Sequence, residues 1–119
     1  MYEITVYETA DGNRPLDKLF KELQKKHRKN DIDAIQLHIR YLQTYGPDIN
    51  KNVKSDLVKP VQDGVFELRI KANRVLFFYY MGKKIVLLHG FIKKRNNIPT
   101  KERNLAIVEM KDYLRRNQS

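Results

Sequence analysis

The sequence has no cysteine. Disulfide staples and thiolate metal sites are therefore excluded, and a reducing compartment suits the chain. Long apolar runs are missing too: the longest, Val75 to Met81 and Ile85 to Leu88, fall far short of the roughly 20 residues that span a bilayer. The first residues, MYEITVYETADG, carry acids where a secretory signal has a basic stretch followed by an apolar one. One cytoplasmic domain covering residues 1–119, without membrane contact, is the expectation.

Acidic residues are scarce in one place above all. Residues 51–95 hold eleven Lys and Arg against three Asp and Glu, whereas residues 1–50 hold eight of each and residues 96–119 hold five against three. Of the net charge of +10, an excess of eight thus falls in the middle. A basic field placed this way raises the local concentration of polyanions. With only Asp56, Asp63 and Glu67 in that block, a metal nuclease built on carboxylates is disfavoured, and no metal or cofactor is expected.

The alternation of Ile4 and Val6 with polar neighbours over residues 2–8 predicts a half-buried strand. A turn at Asp11-Gly12-Asn13 follows, and Pro15 suits the first position of a helix carrying Leu16, Leu19, Phe20 and Leu23 on one face. A second helix is predicted from near Asp31, read as its N-cap, with Ile32, Ile35, Ile39 and Leu42 as its stripe, to Gly46-Pro47. Residues 47–55 read as an irregular basic connection, and Leu57-Val58 as the start of an edge strand interrupted by Pro60.

Val65 to Ile70, Arg74 to Tyr80 and Ile85 to Ile92 are rich in β-branched and aromatic residues. The links between them, Lys71-Ala72-Asn73 and Met81-Gly82-Lys83-Lys84, are short enough to require antiparallel neighbours. The last two runs are apolar on both faces, as central strands covered on both sides would be. Beyond Pro99, Thr100 reads as the cap of a tail helix whose docking stripe is Ala106, Ile107, Met110, Tyr113 and Leu114. The fold class is α+β: an N-terminal strand and a two-helix hairpin packed on an antiparallel meander, with a C-terminal helix.

The strand and helix order, together with GVFELRI, NRVLFFY, IVLLHGFIKK and the following Pro99 and helix, resembles the RelE/HigB superfamily of type II toxin-antitoxin systems, its phage-derived HigB-like branch nearest. The resemblance implies a RelE-like fold and an endoribonuclease that cleaves messenger RNA at the ribosome. It further implies inhibition by a cognate antitoxin of helix-turn-helix type. Such cleavage needs no metal: the RNA's own 2′-hydroxyl attacks the adjacent phosphorus, and the protein supplies orientation, charge and proton transfer.

Matched to the family motifs, Arg69 and Arg74 are expected at the scissile phosphate, where a planar, permanently charged fork suits the oxygens. Lys93 and Lys94 occupy the basic pair closing the last strand, one of them for leaving-group protonation or phosphate contact. Lys54, Lys59, Lys71 and Arg95 are expected to touch RNA or ribosome backbone. Ordinary roles remain open as well: Arg69 pairing with Glu67, and strand-end lysines solvating an edge. His89 reads as a satisfied core histidine, and His27 and His38 as surface or packing residues. The tyrosine and histidine positions used by related toxins are not matched, so the general base is unassigned. The alternative function is noncatalytic binding of RNA or a partner on the same scaffold.

Overall fold

A computed structural model describes residues 1–94 and 98–118. Its centre is a five-stranded sheet in the order β1-β5-β4-β3-β2. The strands are β1 (Glu3–Val6), β2 (Val58–Gln62), β3 (Val65–Ile70), β4 (Asn73–Tyr80) and β5 (Lys84–Ile92). β1 runs parallel to β5 and the other pairs are antiparallel. The turn chemistry fixes the meander. Asp63 and Gly64 both take positive φ, 54° and 93°, the backbone of the two-residue hairpins that Asp-Gly favours. The β3–β4 link is likewise only Lys71-Ala72, since Asn73 already pairs with Ile70.

Helices α1 (Asp17–Lys25) and α2 (Lys29–Tyr45) cover one face. Leu19, Leu23, Ile35 and Leu42 there meet Leu68, Ile70, Val75, Phe77, Ile85 and Leu87 from the sheet. Helix α4 (Thr100–Arg116) covers the other face, setting Ala106, Ile107, Met110 and Tyr113 against Leu76, Phe78, Val86 and Leu88. Each buried Leu, Ile, Val, Phe or Met among them contributes about 1.5–3 kcal/mol by leaving water. The two apolar faces of β4 and β5 are therefore explained: each strand has helices on both sides.

Three local expectations are corrected. Residues 47–55 are not an irregular connection. A 3₁₀ turn (Gly46–Asp48) leads into α3 (Ile49–Asn52), and the Asn50 side chain holds both backbone groups of Val58, at 2.8 and 2.9 Å. Asp31 is not the N-cap of α2, which starts at Lys29; its carboxylate turns instead to Lys71 Nζ (3.1 Å) and Asn73 Nδ2 (3.3 Å). Thr100 lies inside α4, whose cap position is Pro99. None of the three shifts moves a layer, because the apolar stripes and not the caps decide how helices dock.

The sheet carries one irregularity that matters for the site. Between β4 and β5 the register slips: Leu76 faces His89 while Phe77 faces Leu87. Leu88 is the extra residue of a bulge. Strict alternation from Leu87 would aim His89 at α1 and α2; the bulge puts it beneath α4.

Candidate functional site

Register alone assembles a basic cluster at one end of the sheet. Arg69 and Arg74 are direct cross-strand partners on β3 and β4, and Phe91 of β5 continues the row. The backbone N–H of Lys93 donates to the carbonyl of Ala72 at 2.7 Å, tying the end of β5 to the turn between the two arginines. Continuing the alternation past Phe91 and Ile92 gives Lys93, not Lys94, the side of the sheet that carries Arg74. One row further in, Lys59 faces Glu67 and Leu76 faces His89.

Glu67 organises this end. Its Oε1 lies 3.1 Å from Arg74 Nε and 3.6 Å from Arg69 Nε. The Arg74 contact is a close charge pair whose angle misses that of a hydrogen bond, since Nε has no hydrogen-bond partner. The Nη1 of Arg74 instead donates to the carbonyls of Lys71 (2.8 Å) and Asn73 (2.9 Å). Only 7% of the Arg74 side chain is exposed, against 31% for Arg69. Burial, aided by the neighbouring Arg69, lowers the pKa of Arg74, while Glu67 opposes the shift. Arg74 is thus the inner, braced cation and Arg69 the outer, accessible one.

Lys59 is exposed on the edge strand, Lys54 is exposed just before β2, and Lys94 is exposed beyond β5. Lys71 sits in the hairpin turn with φ of 55° and is bridged to Asp31. Burial would raise the pKa of Asp31, but hydrogen bonds from Lys71 and Asn73 and the nearby cations outweigh it and lower the value. Arg95 lies outside the described residues. Tyr79, Tyr80 and Tyr113 sit among aromatic partners, Tyr79 edge-on to Phe66 and Phe77 and Tyr80 edge-on to Tyr113. Burial pushes Tyr79 up to about 12.

A second polar constellation lies beneath α4. His89 Nδ1 is 2.6 Å from Glu109 Oε1 and its Nε2 is 3.1 Å from Glu102 Oε1. The imidazole side chain is 5% exposed. Burial alone would lower its pKa, yet the hydrogen bond and charge of Glu109, then those of Glu102, prevail and raise it above the ordinary value. Held between two carboxylates, with its charged form favoured, the imidazole clamps β5 to α4. Because the carboxylates hold opposite ring nitrogens, the three groups do not converge on one point, and no metal-ligand cluster occurs among the described residues.

Sequence reasoning recognised His89 as a core histidine but not its partners. The available signal was Glu109, an acid on the stripe of α4 that buries Ala106 and Met110, seven residues from Glu102. From the sequence Glu67 reads as a partner for Arg69, and in the structure it also pairs with Arg74. Beside the clamp, a cleft of about 900 Å³ opens between α1 and α4, floored by His89, Gly90 and Phe91.

No curated protein matches the chain. Residues 18–111 match the profile of the family described as phage derived protein Gp49-like (DUF891), a span running from α1 through β2 to β5 and most of α4. That span includes every strand of the antiparallel meander, Glu67, the two arginines and the His89 clamp, so the chain belongs to the phage-derived Gp49-like family, a family of the RelE/HigB-like toxin type.

Proposed function

We propose that this protein is the toxin of a type II toxin-antitoxin pair and an endoribonuclease that cuts messenger RNA, in association with the ribosome, without a metal. The observation that carries this reading is the juxtaposition of Arg69 and Arg74 as cross-strand partners, with the backbone of Lys93, just past β5, bonded to the turn between them. In this reading Arg69 and Lys93 meet the scissile phosphate. Arg74 stands behind them, adding charge from a site that water scarcely reaches, where electrostatics are strong. The 2′-oxygen attacks phosphorus as its proton passes to solvent water, the bond from phosphorus to the 5′-oxygen breaks, and Lys93 delivers a proton to that leaving oxygen. Lys54, Lys59, Lys71, Lys94 and Arg95 steer the backbone. A helix-turn-helix antitoxin holds the activity in check.

A second reading has an observation of its own. Glu67 already engages both arginines, so part of their charge is committed inside the protein. That arrangement suits a noncatalytic protein that binds RNA or a partner on the same scaffold. Inducing the wild type and an Arg69→Ala variant in growing cells, with 5′-end mapping of messages, separates the two. Growth arrest with new message ends, both abolished by Arg69→Ala, supports the RNase. Unaffected growth and intact messages alongside retained RNA binding would establish the noncatalytic reading.

A further inference from the structure

The geometry points to the cleft between α1 and α4 as the docking site for an acidic, amphipathic segment of a protein partner. The observation is a mismatch between exposure and chemistry on its walls. Leu105 is 42% exposed and Val108 63% exposed on a helix whose other large apolar residues are mostly covered. Both line the cleft, over a floor that includes Phe91. Lys101, Leu105 and Val108 follow one another at helical spacing, so they form one stripe of α4. Across the cleft α1 presents Lys18 and Lys21.

Charge identifies the occupant. Of the acids lining the cleft, Asp17 pairs with Arg14, Glu22 with Lys26, and Glu102 and Glu109 with His89. Lys18, Lys21 and Lys101 enter none of the ion pairs among the described residues. The cleft therefore offers three free cations around an uncovered apolar stripe. An RNA backbone would gain the cations but would leave Leu105 and Val108 wet. A peptide with Leu, Ile or Val on one face and Asp or Glu on its rim satisfies both sets at once. The cleft floor reaches Phe91, the cross-strand neighbour of Arg74 on the far side from Arg69, so an occupant sits beside the basic cluster. The inference rests on the partner half of the functional reading above and deepens it.

The test is selection of random peptides of about 16 residues displayed on phage against the full chain, followed by affinities of the enriched peptides for two variants. One variant is Leu105→Asp/Val108→Asp; the other is Lys18→Glu/Lys21→Glu/Lys101→Glu. All five positions are exposed, and circular dichroism is to check that both variants fold. Enriched peptides should combine acids with spaced apolar residues and lose at least about tenfold in affinity for each variant. Enrichment without that pattern, or undiminished binding to both variants, overturns the proposal. So does displacement of the peptides by mixed-sequence RNA, or a self-associated chain that buries Leu105 and Val108. Assaying RNA cleavage by the Leu105→Asp/Val108→Asp protein separates the two ideas. Cleavage without peptide binding keeps the RNase reading alone, and selective peptide binding by a protein that cuts nothing keeps the docking site alone.

Discussion

Replacing Glu67 with alanine should destabilise the protein by about 3 kcal/mol, because it strands a buried guanidinium. The magnitude follows from the geometry. Glu67 and Arg74 side chains are 9% and 7% exposed and their charged atoms stand 3.1 Å apart. Removing one partner of such a pair costs roughly 3–5 kcal/mol. Arg74 keeps its two carbonyl acceptors, Lys71 and Asn73, which places the loss at the lower end. The adjacent Arg69, then an uncompensated like charge, keeps it from falling further. In a domain of this size the loss corresponds to about 10 °C in Tm. Urea unfolding with an unchanged m-value is the assay. The apolar double replacement Glu67→Leu/Arg74→Met should recover most of the loss, since it removes both charges together. A Glu67→Ala shift below about 0.5 kcal/mol, the usual size for a surface substitution, would refute the brace.

Three further outcomes follow from the same geometry. His89 has a folded pKa raised above the unfolded value, about 6.5, so its contribution is complete below that pH and is lost as pH rises through the folded value; the Tm gap between wild type and His89→Gln should narrow from pH 6 to pH 9, and a constant gap would remove the clamp. In Gly90→Ala the new Cβ would lie 2.6 Å from Leu19 Cδ2 and 2.8 Å from the carbonyl oxygen of Arg74; because that backbone cannot yield, a cost of about 1–3 kcal/mol by thermal unfolding is expected, and wild-type stability would contradict the packing. Asn50→Ala should free both backbone groups of Val58 and cost about 1–3 kcal/mol; hydrogen exchange at the Val58 amide reads it, and unchanged protection would show the edge strand is held otherwise.

The layers of the fold were legible because they follow from periodicity. Leu19, Leu23, Ile35 and Leu42 mark two helix stripes, and the all-apolar β4 and β5 mark a sheet covered on both faces. The position of β1 was not legible: its parallel partner β5 comes only after the helices and the other three strands, and a pairing so distant in sequence leaves no short-range signal. The bulge at Leu88 was hidden for a similar reason, since one extra residue in an apolar run changes no pattern. It nevertheless decides which face His89 takes. At the candidate site, the nearness of Arg69 and Arg74 was readable from the short turn between them. The inward burial of Arg74 was not, because it depends on Glu67 one row away and on carbonyls of the turn itself.

The central claim is that the Arg69 end of the sheet cleaves RNA by 2′-hydroxyl attack. The most direct measurement incubates the purified chain with programmed ribosomes in excess chelator and analyses the chemistry of the new RNA ends. Wild type should leave 2′,3′-cyclic phosphate and 5′-hydroxyl ends, and a folded Arg69→Ala/Lys93→Ala variant should lose at least about a hundredfold in rate. Intact RNA with wild type, 5′-phosphate ends, or equal cleavage by the variant would contradict it.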